Sequence, residues 1–111
     1  AFDSSTAKVP WMKYFLDYDP VPTAKLVKVP VLIMQGATDQ QVTPEQAPLL
    51  EQALKVGGNK QVKITVFKDR NHLFLQDPSG FPGGYVKLTN GKIDGEVMGA
   101  LAEWLVVRLK P

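Results

Sequence analysis

Asp39 and His72, 33 residues apart, are the two residues in this sequence whose types could move a proton together. His72 is the single histidine of the chain, and histidine is the side chain whose charge changes near neutral pH. A carboxylate that accepts a hydrogen bond from one imidazole nitrogen fixes the tautomer. The other nitrogen is then free to take a proton from a nucleophile. The residue types alone leave a second reading open, because a loop aspartate can also bond its own backbone in an Asx turn. A lone loop histidine can equally be a surface residue. Asp69 is a rival partner for His72, but it sits three residues away in the same loop and lacks a strand-end position.

The elements that must position this pair can be read from hydrophobic periodicity. Residues Val31 to Met34 are continuously apolar and bounded by Pro30 and Gly36, which predicts a strand covered on both faces, as in a parallel sheet. Thr43, Pro44 and Gln46 form a capping-box pattern that opens a helix with Ala47, Leu50 and Leu54 on one face. Pro48 should clash with the carbonyl four residues back, so that helix is expected to be kinked or to begin late. Gly57 and Gly58 end it through a left-handed residue. In QVKITVF, Val62, Ile64 and Val66 alternate with Gln61, Lys63 and Thr65, the period of a second strand.

The long stretch KDRNHLFLQDPSGFPGGYVKLTNGK is rich in turn formers and reads as a loop of functional length. Asp94 then caps a terminal helix with Val97, Leu101, Trp104 and Leu105 as a core stripe and Ile93 and Met98 placed for a hydrophobic staple. Near the N-terminus, Trp11, Tyr14 and Phe15 have the spacing of a short helix, and Pro20 and Pro22 then predict an extended connector. The fold class is α/β: a connector and short helix over 1–30, then a parallel β-α-β unit, histidine loop and closing C-terminal helix over 31–111. A β-α-β crossover makes its strands parallel and puts their C-terminal ends on one rim, where open α/β sheets bind ligands. Asp39 follows the first strand and His72 the second, so topology alone brings both loops to that rim.

Composition bounds the rest. At 111 residues, 44% hydrophobic and 22% charged, the chain falls in the range of an ordinary globular domain. The 13 basic and 11 acidic residues are scattered, which argues against nucleic acid or an anionic membrane as partner. No apolar run is long enough to span a bilayer, and AFDSSTAKVP lacks the pattern of a signal peptide. With no cysteine and one histidine there is no ligand set for a metal, and GGNK follows a helix where a phosphate loop would open one. No cofactor is expected. Localisation stays unknown, because a chain without cysteine suits either redox environment.

The motifs themselves carry a family resemblance. VPVLIMQGATDQQV resembles the acid-bearing strand and loop of α/β-hydrolases, and FKDRNHLFL resembles their histidine loop, in the order acid before histidine. The stretch WMKYFLDYDPVPTAKLVKVPVLIMQGATDQQV is similar to the branch that holds dienelactone hydrolases and prolyl-oligopeptidase-like esterases. The resemblance covers nearly the whole chain, and it covers the C-terminal portion of that fold. It implies a serine hydrolase of carboxylic esters, with Asp39 as triad acid, His72 as general base and a small-molecule ester as substrate. Trp11, Tyr14, Phe15 and Phe74 could line an acyl pocket, with ordinary packing as their alternative. Gln41 and Asn71 could support the acid and base loops through hydrogen bonds.

The nucleophile elbow G-x-S-x-G is absent. Ser4, Ser5 and Ser79 are the only serines, and none has that context. The expectation is therefore a single incomplete domain whose serine and oxyanion hole lie upstream of Ala1, inactive alone and prone to self-associate or to pair with the missing segment. A serine peptidase of the prolyl-oligopeptidase type would share this machinery. A non-catalytic α/β binding or assembly module would keep the fold without the chemistry.

Overall fold

In a computed structural model, residues 18–88, 91–93 and 95–109 are described. The element order is α1 (Val21–Ala24), β1 (Val31–Gly36), α2 (Gln46–Val56), β2 (Val62–Phe67), a 3-10 helix (Pro82–Lys87) and α3 (Gly95–Leu109). The two strands run parallel, in register from Val31 against Val62 to Gly36 against Phe67. The α/β class and the parallel β-α-β unit are therefore as the periodicity predicts.

Register puts Val31, Ile33, Val62 and Ile64 on one sheet face, because paired residues of parallel strands share a face. There they meet Ala24, Ala47, Ala53 and Leu54 in the buried core, with Val21 and Val27 packed around it. On the opposite face Leu32 and Met34 are half-buried, where the continuous apolar run predicts full cover. Leu50, expected on the core face of α2, is 37% exposed.

Local chemistry explains the element ends. Pro48 has no N–H to give the carbonyl of Pro44, which instead accepts from Ala47 N at 3.2 Å, and α2 begins late, at Gln46. Its N-cap is Glu45, with no side-chain cap bond, so Thr43 is not the N-cap that the capping-box pattern predicts. At the other end Gly57 N bonds Ala53 O, and Gly58 supplies the left-handed conformation at φ +97. The predicted connector after Pro20 contains a helical turn, α1. Pro20 is its N-cap and Pro22 lies in its first turn, where a missing N–H costs nothing.

The terminal helix departs most from expectation. Of its predicted core stripe only Val97 is buried; Leu101 and Trp104 are half-buried and Leu105 is 40% exposed. Ile93 and Met98, the expected staple, are each close to half exposed. Helix α3 is held at its start, where Glu96 accepts from Arg70 Nη2 at 3.1 Å. The helical periodicity is right, but a stripe becomes core only where another element covers it. The predicted cap Asp94 and the predicted short helix around Trp11, Tyr14 and Phe15 lie outside the described residues.

Candidate functional site

Both candidate side chains are placed by the C-terminal ends of the parallel strands. The ladder continues past β1, with Ala37 N bonding Phe67 O at 2.9 Å and Thr38 N bonding Arg70 O at 3.0 Å. Gly36 allows this approach: a Cβ there would collide with the carbonyl oxygens of Arg70 and Asn71. The loop after β1 then turns tightly, Asp39 N bonding Gly36 O.

The loop after β2 is ordered by its own hydrogen bonds, although its composition suggests irregular chain. Asp77 N bonds Asp69 O, Arg70 bridges Gln76, and Asn71 N bonds Leu75 O, which leaves His72 at the tip of a hairpin-like turn. The Asn71 side-chain oxygen accepts from the N–H groups of Leu73 and Leu75 at 2.9 and 3.0 Å. Phe74 closes the turn at φ +60, a conformation that costs a bulky residue about 1–3 kcal/mol. Its ring packs edge-on against buried Phe67, with centroids 6.1 Å apart.

Asp39 and His72 meet there: His72 Nδ1 lies 2.9 Å from Asp39 Oδ2. The Asp39 carboxylate is 5% exposed and saturated with donors. Oδ1 accepts from Gln41 N at 2.8 Å and Val42 N at 2.9 Å, while Oδ2 also faces Gln35 Nε2 at 3.4 Å. Burial pushes the Asp39 pKa up. The hydrogen bonds from Val42, His72 and Gln41 together outweigh that effect and hold it below the ordinary aspartate value. Because the carboxylate stays ionised, Nδ1 must carry the proton and donate it. The His72 side chain is 39% exposed. Its Nε2 has no hydrogen-bond partner among the described residues, so it is available to a hydroxyl. Asp39 thus makes both contacts that its residue type left open: backbone turn bonds through Oδ1 and an imidazole through Oδ2.

The other predicted site residues divide. Asn71, fully buried, holds the histidine turn as described, and Gln41 Nε2 donates to Tyr85 Oη at 2.9 Å, tying the acid loop to the 3-10 helix. Ser79 Oγ donates to Asp77 at 2.9 Å and makes no hydrogen bond to His72. Asp69, the rival acid, lies at φ +55 at the loop's base, its carbonyl bonded to Asp77 N. Trp11 and Phe15 lie outside the described residues. An apolar cleft of about 300 Å³, walled by Tyr18, Pro20, Val27, Val31, Leu50 and Leu54 among others, includes neither Asp39 nor His72. Among the described residues no group of three or more His, Asp or Glu side chains is arranged to hold a metal ion.

Sequence reasoning missed Gln35, Thr38, Asp77 and Tyr85. The signal for Gln35 was its place: an amide inside the apolar run VLIMQG must find buried partners, which are the carbonyls of Gly36 and Val42 and the Asp39 carboxylate.

The sequence is similar to that of a known esterase and matches one protein family. Esterase EstD of Thermotoga maritima is 36% identical over 98 residues, which make up 85% of this chain and 23% of the esterase. The chain therefore spans less than a quarter of that relative's length. No solved structure matches it. Residues 6–81 match the Prolyl oligopeptidase family, a stretch that includes both Asp39 and His72. With more than half of its residues inside that match, the chain belongs to the prolyl oligopeptidase family.

Proposed function

We propose that this chain supplies the acid and the base of a serine hydrolase that cleaves carboxylic esters. The observation that carries the reading is the 2.9 Å contact between His72 Nδ1 and a buried, donor-saturated Asp39 at the rim of a parallel strand pair. A serine outside these 111 residues attacks the acyl carbonyl. His72 Nε2 takes the serine proton and gives it to the leaving alcohol, then takes a proton from the water that attacks the acyl-serine and returns it to the serine oxygen, while Asp39 orients the ring and stabilises its charged form. The absence of G-x-S-x-G and the 23% coverage of the esterase both support placing the nucleophile and oxyanion hole elsewhere.

Esters are favoured as substrates by the name of the relative; a peptide bond is the second reading, favoured by the family's description. The test uses the full-length protein with His72→Ala. Hydrolysis of p-nitrophenyl acetate should fall on the order of ten-thousand-fold with little change in binding. Retention of full activity would leave a non-catalytic module as the surviving reading. Faster cleavage of a peptide anilide than of the ester by the unmodified protein would select the peptidase.

The same reading extends to partners. Among the described residues the sheet has two strands, so each keeps an outer edge of unpaired backbone groups. The rest of the hydrolase, or a second copy, covers those edges. The 111-residue chain alone should therefore self-associate, and a monodisperse monomer in size-exclusion chromatography would contradict this.

A further inference from the structure

Asp77 makes no hydrogen bond to Asp39 or His72, yet it is bonded to the residue before each of them. It is 3% exposed. Its Oδ2 accepts from Asn71 Nδ2 at 3.2 Å, one residue before His72. Its Oδ1 accepts from Ser79 N at 3.2 Å and Ser79 Oγ at 2.9 Å. Its backbone carbonyl accepts from Thr38 Oγ1, one residue before Asp39. Gly80, at φ +71, seats this segment directly on the Thr38 carbonyl.

A buried carboxylate is costly unless its oxygens are satisfied by donors, and here all those donors are neutral. No ion pair involving Asp77 is formed among the described residues. What a carboxylate offers over an amide at this position is that it only accepts. It therefore fixes which way the Asn71 amide points: Nδ2 toward Asp77, and Oδ1 toward the N–H groups of Leu73 and Leu75, which follow His72 in the turn. An amide at position 77 could donate as well as accept, and Asn71 could then flip and release both N–H groups.

We propose that Asp77 is a positioning residue for His72, orienting the imidazole through Asn71 and setting the spacing of the acid and base loops through Thr38. The inference rests on the proton-relay reading of Asp39 and His72. It is tested in the full-length protein with Asp77→Asn and Thr38→Val, and with His72→Ala as reference. Asp77→Asn should lower kcat for p-nitrophenyl acetate on the order of 10- to 100-fold, the scale expected for misplacing a catalytic group by about 1 Å, with KM changed less than about twofold. The low-field proton signal of His72 Nδ1–H should shift or broaden with it. Thr38→Val should show the same signature at smaller amplitude.

The proposal is overturned if His72→Ala is inactive while Asp77→Asn and Thr38→Val keep the parent kcat and an unmoved Nδ1–H signal. If Asp77→Asn does not fold, Thr38→Val decides the loop spacing set through the Asp77 carbonyl, and Ser79→Ala, which loosens the Asp77 carboxylate without removing it, decides the orientation of His72: an unmoved Nδ1–H signal in both overturns the proposal. If His72→Ala keeps full activity, the catalytic reading fails first, and the Nδ1–H signal in the two variants still reports whether Asp77 orients the ring.

Discussion

The side-chain amide of Gln35 reaches the same Asp39 oxygen that holds His72, Oδ2, at 3.4 Å, while also donating to the carbonyl of Val42 at 2.9 Å. The strand end and the acid loop are thus joined by one buried amide, 7% exposed. Replacing Gln35 with Leu strands the Val42 carbonyl and removes a donor from Asp39. The expected loss is about 1–3 kcal/mol of stability, read as a lower denaturant midpoint with an unchanged m-value. A variant as stable as the parent would mean that these bonds are replaced by water.

Gly80 and Gly83 lie three residues apart but differ in what a side chain would meet. A Cβ at Gly80 would run into the Thr38 carbonyl, and its φ of +71 disfavours any other residue. At Gly83 nothing lies within 4 Å. Gly80→Ala should therefore cost more than about 1 kcal/mol, while Gly83→Ala stays within about 0.5 kcal/mol of the parent. Equal thermal midpoints for the two variants would refute the close approach of the loops.

The depressed pKa of Asp39 makes a signed prediction about acid. A carboxyl whose folded pKa lies below its unfolded value contributes stability that is present above the unfolded value. That stability is lost as pH falls through the folded pKa. The parent should therefore be more stable than Asp39→Asn at pH 6, and the gap should close below about pH 4. Thermal midpoints of both proteins across pH 2.5–7 would measure it. A gap constant with pH would show that the two states bind the Asp39 proton equally.

Helix α3 offers a contrast within one element. Val97 is 3% exposed and Val106 is 56% exposed. Val97→Ala should destabilise by about 1–2 kcal/mol through lost burial and a residual cavity, and Val106→Ala by less than about 0.5 kcal/mol. Chemical denaturation of both variants would check this, and equal losses would mean that the outer face of the helix is covered in the full-length protein.

By itself the sequence determined the secondary elements that carry the site, because periodicity, proline and glycine act locally. The run VLIMQG and the alternation in QVKITVF become the parallel strands, and Gly58 ends the intervening helix as its missing Cβ permits. The meeting of Asp39 with His72 was legible too, since a parallel crossover must bring both strand ends to one rim. What only the tertiary structure decided is where buried polar groups find partners and which apolar stripes find cover. Gln35 and Asp77 look like ordinary polar residues until the fold removes water from them, and then each must bond across the chain. The stripe on α3 is helical as its period predicts, but of its residues only Val97 is core, because periodicity gives a face its shape and another element must arrive to bury it.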